Sequence, residues 1–182
     1  MIYVFLAEGF EEVEALTPVD LLRRSGKDVK LVGVGGSVIK GSHGIAVQTD
    51  ITTGEMVLGG ELEMIVLPGG MPGTLNLERS EAVQTAIDFC ADRNIPIGAI
   101  CAAPSILGHK GLLQGREAIA YPGFEGQLTG AQISTHSVVQ DGSFITAQGA
   151  GAAVAFGLKL AEVFVGEAKA KALADAVCYP EH

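Results

Sequence analysis

The chain has 182 residues, of which 48% are apolar and 18% are charged, and this suits one domain with a large core. Its 12 basic and 21 acidic residues give a formal charge of −9, which would repel a phosphate backbone and argues against nucleic-acid partners. No apolar run approaches the roughly 20 residues that cross a bilayer, so we expect no membrane association.

The first half of the chain alternates short apolar runs with helical stretches. Gly26 fits a helix C-cap and Ser80 fits an N-cap. Nothing ahead of the first strand resembles a targeting segment, so we expect a cytoplasmic protein. The periodicity predicts strands at residues 2–7, 29–34, 63–68 and 95–100, helices at 11–25 and 80–93, an edge hairpin at 37–50 and a short helix that ends near residue 107.

The second half of the chain is less regular. Asp141 and Gly142 indicate a tight hairpin turn between its last two strands. The alternation of strands with helices predicts an α/β fold with a mostly parallel sheet, in which sites form outside the carboxyl ends of the strands. The predicted elements are strands at residues 117–121, 132–139 and 143–148 and helices at 151–165 and 167–177.

Cys101 follows an apolar strand directly and precedes a small-residue segment that opens a helix. Backbone N–H groups and a helix dipole at such a place favour negative charge on the sulfur. The chain must also turn sharply there, as in the strand–nucleophile–helix turn of other α/β enzymes, although the G-x-S-x-G pattern is absent. Position favours a reactive thiol, and the alternative is a neutral thiol that acts as a small hydrophobe, as Cys90 does on its helix face.

Gly69 and Gly70 end the buried strand that precedes the cysteine strand. Most glycine pairs of this kind serve a turn that needs positive φ, and spacing alone favours that interpretation. The functional alternative is an exposed N–H that pairs with the N–H of Ala102 and stabilises an oxyanion beside Cys101.

Three acidic residues open the first predicted helix, and we interpret Glu11 and Glu12 as helix formers that complement the dipole. Glu14 lies one turn further along, between apolar neighbours. Because Pro18 has no N–H, the carbonyl of Glu14 loses its helical partner and we expect a local distortion. A carboxyl in these surroundings should have a raised pKa, and it could donate a hydrogen bond to a thiolate or exchange a proton with a substrate.

The histidines and the other cysteines give weaker signals. The three cysteines lack metal-ligand spacing, which argues against a zinc site or a disulfide scaffold and favours free thiols in a reducing compartment. None of the four histidines adjoins Cys101 in sequence, and each one taken alone fits a surface position. The alternative that folding brings one of them next to Cys101 as a Cys–His pair is left open by the sequence. The histidines are His43, His109, His136 and His182.

Together these residues resemble the ThiJ/PfpI superfamily, and more narrowly the branch of the parkinsonism-associated protein deglycase and its bacterial relatives. The resemblance spans essentially the whole chain. The matching segments are GFEEVEALTPVDLLRRSG at 9–26, VLPGG at 66–70, AICAAP at 99–104 and QGAGAAVAFGLKL at 148–160.

The resemblance implies one ThiJ/PfpI-type domain over residues 1–182, with a flavodoxin-like three-layer sandwich of the class I glutamine amidotransferase type, and a homodimer. It implies that Cys101 is the nucleophilic, oxidisable cysteine and that Glu14 is its protonated, hydrogen-bonded partner. Gly70 and Ala102 would supply the oxyanion-hole amides, and neither a cofactor nor a metal is implied. The activities reported for the family are conversion of methylglyoxal to lactate, deglycation of early glycation adducts, chaperone action and oxidative-stress sensing.

Three positions and one missing motif depart from the patterns of related proteins. Tyr121 stands before Pro122 where glyoxalase members carry a histidine, and an unperturbed tyrosine is a poor general base. Ala102 replaces the histidine of the protease-like branch, which argues against proteolysis, and the His-x-Glu of the glutaminases is absent. His43 replaces an arginine that relatives use at the dimer contact.

Two hypotheses of different classes follow. In the first, the Cys101 thiolate adds to a small carbonyl, such as methylglyoxal or an early glycation adduct, and Glu14 shuttles the proton while Tyr121 lines the substrate pocket. In the second, the protein is a non-enzymatic oxidative-stress sensor or chaperone that signals through a Cys101 sulfinate held by Glu14.

Overall fold

A seven-stranded sheet forms the middle layer of this computed structural model, which describes residues 1–180. The strands are β1 (Ile2–Ala7), β2 (Val29–Val34), β3 (Val38–Lys40), β4 (Ala46–Gln48), β5 (Ile51–Thr52), β6 (Met64–Leu67), β7 (Ile97–Ile100), β8 (Glu117–Ala118), β9 (Gln132–Ile133), β10 (Val138–Asp141) and β11 (Phe144–Ala147). The helices are α1 (Glu12–Arg24), α2 (Gly73–Arg79), α3 (Glu81–Asp92), α4 (Pro104–His109), α5 (Ala153–Val165) and α6 (Glu167–Ala176).

The sheet has the strand order β10-β11-β7-β6-β1-β2-β5, and all its pairs are parallel except β10 with β11. The carboxyl ends of β1, β6 and β7 therefore meet at one edge. The loops that follow these three strands carry the predicted site residues, so the topology alone brings them close together.

Helices cover both faces of the sheet because its central strands are apolar on both sides. Successive side chains of β1 alternate between two cores: Phe5 belongs to the cluster that includes α3, and Leu6 belongs to the cluster that includes α1 and α5. At Gly98 in β7, an added Cβ would lie 2.9 Å from Leu160 Cδ2, so a glycine is needed for α5 to approach the sheet. This three-layer α/β sandwich of flavodoxin type confirms the predicted fold class.

Most predicted elements of the first half are present: β1 and β2 have the predicted bounds, and the others have ends shifted by one or two residues. The predicted helix at 11–25 is α1, and it runs through Pro18 without a break, so the expected distortion does not divide the helix. The predicted hairpin at 37–50 is present as β3 and β4, but these strands form a separate two-stranded sheet, and β5 is the edge strand of the main sheet.

The second half contains the larger errors. The predicted strand at 117–121 is wrong beyond Ala118, and the predicted strand at 132–139 is two separate strands, β9 and β10. Helix α2 has no counterpart among the predicted elements, because its seven residues are short for a periodic signal and Pro72 at its N-cap offers no capping side chain. Among residues 1–180, no helix has both the length and the apolar character that a bilayer span requires.

Candidate functional site

Cys101 lies at a strained turn immediately after β7. Its φ of 64° is in the left-handed region, which costs energy for a residue with a side chain. Two backbone hydrogen bonds hold the turn: the Cys101 N–H donates to the Ala147 carbonyl at 2.9 Å, and the Cys101 carbonyl accepts from the Tyr121 N–H at 2.8 Å. The strain is therefore maintained by β11 on one side and by the segment before Pro122 on the other.

Glu14 faces this turn from the first turn of α1, and its side chain is only 1% exposed. The Gly69 N–H donates to Glu14 Oε2 at 3.0 Å, and the Ala150 N–H also hydrogen-bonds the carboxyl. The Glu14 carboxyl and the Cys101 thiol hydrogen-bond each other. The structure therefore brings the two predicted catalytic side chains into direct contact.

Gly69 makes this contact sterically feasible. A Cβ added at position 69 would lie 2.6 Å from Cys101 Cβ and 2.6 Å from Glu14 Oε2. Atoms cannot approach so closely, so any side chain at this position would push the carboxyl or the sulfur away.

The two predicted oxyanion-hole residues also lie at the sulfur. The amides of Gly70 and Ala102 hydrogen-bond the Cys101 sulfur. Gly70 has a φ of +88°, and a Cβ added there would lie 2.5 Å from the Glu11 nitrogen, so this turn requires glycine. Two converging N–H donors beside a nucleophile can hold the oxygen that gains negative charge on addition to a carbonyl.

The protonation of the pair differs from the expectation of a ready thiolate. Burial raises the pKa of Glu14 to about 7, and the negative charge of Glu11 acts in the same direction. Burial, the charge of Glu14 and the hydrogen bond with it raise the pKa of the Cys101 thiol to about 12, although the amides of Gly70 and Ala102 oppose this. The expected stabilisation by amides and a helix dipole is therefore too weak to ionise Cys101 beside an ionised Glu14.

This repulsion disappears when Glu14 carries the proton, since a neutral carboxyl can donate a hydrogen bond to a thiolate. Because Glu14 and Cys101 are coupled, the first pKa is a property of the pair and not of either group alone. The pair therefore loses its first proton near neutral pH. One proton shared by two groups allows the site to act both as a nucleophile and as an acid.

Tyr121 lies at the rim of the site with half of its surface exposed. A Cβ added at Gly149 would lie 3.3 Å from Tyr121 Cδ2 and 3.9 Å from Glu14 Oε1, so Gly149 separates the ring from the carboxyl. Tyr121, Gly149 and Ala150 also line an open cavity of about 670 Å³. Neither Glu14 nor Cys101 lines this cavity, so a role for Tyr121 in the substrate pocket stays a prediction.

The structure brings no histidine among residues 1–180 into hydrogen-bonding contact with Cys101. His43 Nδ1 lies 2.9 Å from Glu12 Oε2, and His109 Nδ1 lies 2.6 Å from Glu78 Oε1. His182 lies outside the described residues. Among the described residues, Glu14 is therefore the titratable side chain that hydrogen-bonds the thiol.

Glu12 lies in the first turn of α1, as interpreted, but its side chain is also buried against the loop between β3 and β4. Its carboxylate accepts from the His43 N–H at 2.9 Å and from the Ile45 N–H at 3.3 Å. Burial opposes the charge, but the hydrogen bonds with His43 and Ile45 outweigh it and lower the pKa of Glu12 to about 2. Sequence offered no signal for this contact, since the partners are 31 and 33 residues away.

Potential metal-ligand atoms come together at one place in the described part of the chain. Side-chain atoms of Glu11, Glu12 and His43 lie within 4.8 Å of one another. Glu12 already has its full set of hydrogen-bond donors there, so hydrogen bonding alone accounts for the cluster. The absence of a metal or cofactor requirement stays a prediction.

Comparisons with known proteins show the family and the fold of this chain. The sequence profile of the DJ-1/PfpI family matches residues 1–163. The chain is 34% identical to the protein dj-1beta of Drosophila melanogaster over 174 residues, which cover 94% of this chain and 92% of that protein. It is 30% identical over 149 residues to a protein named deglycase from Pyrococcus abyssi, covering 81% of this chain and 89% of that one.

A solved structure described as oxidised Toxoplasma gondii DJ-1 superimposes with a TM-score of 0.93 at 32% identity. The match covers 99% of this chain and 98% of that chain. The likeness therefore includes the strand ends and loops that carry the site, as well as the sheet.

Proposed function

The chain belongs to the DJ-1/PfpI family, and from that premise we propose that it is a cofactor-free enzyme that uses Cys101 to act on small reactive carbonyls. The substrates are α-oxoaldehydes such as methylglyoxal, or the early adducts that these aldehydes form with thiols and amines. The observation that carries the proposal is the hydrogen bond between the Glu14 carboxyl and the Cys101 thiol at a strained turn, with two amides beside the sulfur.

The first step is addition. The Cys101 thiolate forms a bond to the aldehyde carbon, and the electron pair of the C=O bond moves to oxygen. The amides of Gly70 and Ala102 hold that oxyanion. The Glu14 carboxyl then gives it a proton, which produces a neutral hemithioacetal and leaves Glu14 ionised. The ionised Glu14 can then accept a proton in the next step.

The second step moves a proton between neighbouring carbons. Ionised Glu14 removes the hydrogen of the former aldehyde carbon as a proton, and the electron pair forms an enediolate with the adjacent carbonyl. Glu14 returns the proton to the second carbon while the hydroxyl proton on the first carbon passes to the second oxygen, which gives a lactoyl thioester. Water cleaves this thioester to lactate and free Cys101. A carboxyl with a pKa near 7 can serve as acid and as base at neutral pH.

Tyr121 has a supporting role in this scheme. Its hydroxyl can donate a hydrogen bond to a bound substrate, but a phenol does not accept a proton well at neutral pH. Glu14 therefore carries both transfers, and we expect slower turnover than in a relative that has a histidine at this place.

Lactate formation from methylglyoxal tests the proposal directly. We expect Cys101→Ala to abolish it and Glu14→Gln to lower it by a factor of about 100 or more, in the range of general acid–base catalysis. Cys178→Ser, at an exposed cysteine, is the matched control and should retain full activity. Equal lactate formation by the wild type and Cys101→Ala would contradict the proposal.

A second candidate function is oxidative-stress sensing, which the likeness to a DJ-1 structure described as oxidised favours. Each of two peroxide molecules would transfer one oxygen to the Cys101 sulfur and leave as water, which gives a sulfinate that protonated Glu14 can hydrogen-bond. Intact mass after peroxide treatment should show two added oxygens that Cys101→Ser lacks. Equal oxidation of Cys90, Cys101 and Cys178 would argue against this function.

We also propose a homodimer through the start of α1. Val13 and Ile45 flank the buried Glu12 and are 49% and 55% exposed, so they form an apolar patch beside the site. Val13→Asp should convert a dimer to a monomer in light-scattering measurements. A monomeric wild type would contradict the proposal.

A further inference from the structure

We propose that Glu11 and His43 are positioning residues that together set the proton distribution of the Glu14–Cys101 pair. Neither residue touches the sulfur or a substrate, and both act through Glu14. This inference deepens the proposed function and rests on it in using the same pair. It is nevertheless measurable on the thiol itself, without turnover.

Glu11 contacts the pair through its side chain. It is the N-cap residue of α1, and its Oε2 accepts from the Glu14 N–H at 2.7 Å. The cap fixes the first turn of α1, which sets the direction of the Glu14 side chain. The same hydrogen bond holds a carboxylate close to Glu14, and its negative charge raises the pKa of Glu14.

Glu11 also contacts the pair through its backbone. Its N–H donates to the Gly69 carbonyl at 3.0 Å, and the Gly69 N–H in turn donates to Glu14 Oε2 at 3.0 Å. The residue therefore braces the two sides of the site, the first turn of α1 and the Gly69–Gly70 turn, at the distance that lets the carboxyl meet the sulfur.

His43 supplies a titratable positive charge from the hairpin. Its Nδ1 lies 2.9 Å from Glu12 Oε2 and 3.6 Å from Glu11 Oε1. The hydrogen bond with Glu12, and then the charges of Glu12 and Glu11, raise the pKa of His43 above its ordinary value. His43 therefore keeps its positive charge to a higher pH than an isolated histidine would.

The titratable groups around Glu14 belong to four segments. Glu11 and Glu12 lie on α1, His43 lies on the hairpin, Cys101 forms the strained turn and Tyr121 lies behind Gly149. The remaining neighbours, Gly69 and Ala150, contribute backbone amides.

Glu11 and His43 act on the pair in opposite directions. The charge of Glu11 favours the protonated carboxyl, and a protonated His43 offsets that charge. Loss of the His43 proton as pH rises leaves the carboxylates of Glu11 and Glu12 unbalanced, so the pair retains its own proton to a higher pH than a permanently charged residue at position 43 would allow.

The test is the pH dependence of the rate at which iodoacetamide alkylates Cys101, followed by peptide mass spectrometry. Glu11→Gln keeps a capping oxygen but removes the charge, and it should lower the midpoint by about half a pH unit. His43→Gln should raise the midpoint, whereas His43→Lys, which is charged throughout, should lower it. Glu55→Gln, at an exposed carboxylate after β5, is the control and should leave the midpoint unchanged.

A purely structural role predicts another outcome, since loosening the site would move every variant in the same direction. Equal midpoints for His43→Gln and His43→Lys, or displacement of Glu11→Gln and His43→Gln in the same direction, would overturn the proposal. His43 is exposed, so its two variants keep the test valid if Glu11→Gln folds poorly. A wild-type midpoint near the ordinary thiol value of about 8.5 would instead contradict the proposed function.

Discussion

Cys90 and Cys101 show that a raised thiol pKa has two different meanings in one chain. Both thiols have a pKa of about 12, and burial is the largest cause in each. Cys90 lies inside α3 among apolar core residues, and no change of protonation nearby can relieve its burial. Cys101 lies at a strained turn beside Glu14, whose charge disappears when it takes a proton.

The difference lies in the neighbours rather than in the value of the pKa. Among the described residues around Cys90, the charge that affects its pKa is that of Arg93, which lowers it against the larger effect of burial. Around Cys101, two backbone amides can donate hydrogen bonds to a thiolate, and so can the Glu14 carboxyl when it is protonated. We infer that a reactive cysteine in this fold is marked by a removable cause of its high pKa, and that a structural cysteine has none.

The largest expected effect comes from filling the space that lets Glu14 reach Cys101. Gly69→Ala places a Cβ within 2.6 Å of both groups and separates them, so we expect the midpoint near pH 7 in the alkylation of Cys101 to disappear while Cys90 stays unreactive in both proteins. Gly59→Ala is the matched control, because a Cβ there has no neighbour within 4 Å. An unchanged alkylation profile in Gly69→Ala would show that contact with Glu14 does not distinguish Cys101 from Cys90.

The next effect is on stability as a function of pH. Glu14 has a pKa of about 7 in the folded protein against an ordinary value of 4.5 for a solvated glutamate, so the folded state binds more protons between these values. The stability that this carboxyl contributes is therefore complete below pH 4.5 and is lost as pH rises to about 7, by about 3 kcal/mol.

Urea unfolding at several pH values measures this effect. Glu14→Gln should remove the fall in the free energy of unfolding between pH 4.5 and 7 and should be more stable than the wild type at neutral pH. Cys90→Ala should show the same slope as the wild type. A wild type whose stability is flat across this range would mean that Glu14 is not buried as a proton-sharing group.

Substitution of Cys90 should affect stability and leave activity unchanged. Cys90→Ala removes a sulfur from a packed core, so we expect a loss of about 1 kcal/mol in the free energy of unfolding and no change in lactate formation. Thermal unfolding and the lactate assay check the two halves of this prediction. A loss of activity in Cys90→Ala comparable to that in Cys101→Ala would show that the two sites are not independent.

The smallest effect concerns the hairpin that Glu12 holds beside the site. Because the pKa of His43 is raised, its bond with Glu12 contributes fully below the ordinary histidine value and weakens as pH rises through the raised pKa. Hydrogen exchange at the Ile45 amide should therefore accelerate above that pH more than expected from intrinsic exchange alone. Exchange that follows only the intrinsic pH dependence would contradict this.

The contrast between the two cysteines could be predicted from the sequence because it is local. The segment around Cys101 joins a buried strand to small residues, whereas Cys90 lies on the apolar face of a periodic helix. The raised pKa of Glu14 could also be predicted from the sequence, since a carboxyl between Val13 and Ala15 has few ways to stay solvated.

What the sequence could not supply is contact between distant segments. Glu12 and Glu14 have the same side chain two residues apart, yet hydrogen bonds from the hairpin lower the pKa of Glu12 to about 2, whereas burial raises the pKa of Glu14 to about 7 against the hydrogen bonds with Cys101 and Gly69. The same reason explains the errors in the second half, where β8 and β9 are two-residue strands whose limits are set by their pairing.

The central claim is that Glu14 and Cys101 share one proton, and the pH profile of Cys101 alkylation in the wild type and in Glu14→Gln tests it most directly. We predict a wild-type midpoint near 7, where the pair loses its first proton, and the loss of that midpoint in Glu14→Gln, whose thiol titrates without a carboxylate beside it. The same midpoint near 8.5 in both proteins would show an ordinary thiol and would contradict the account.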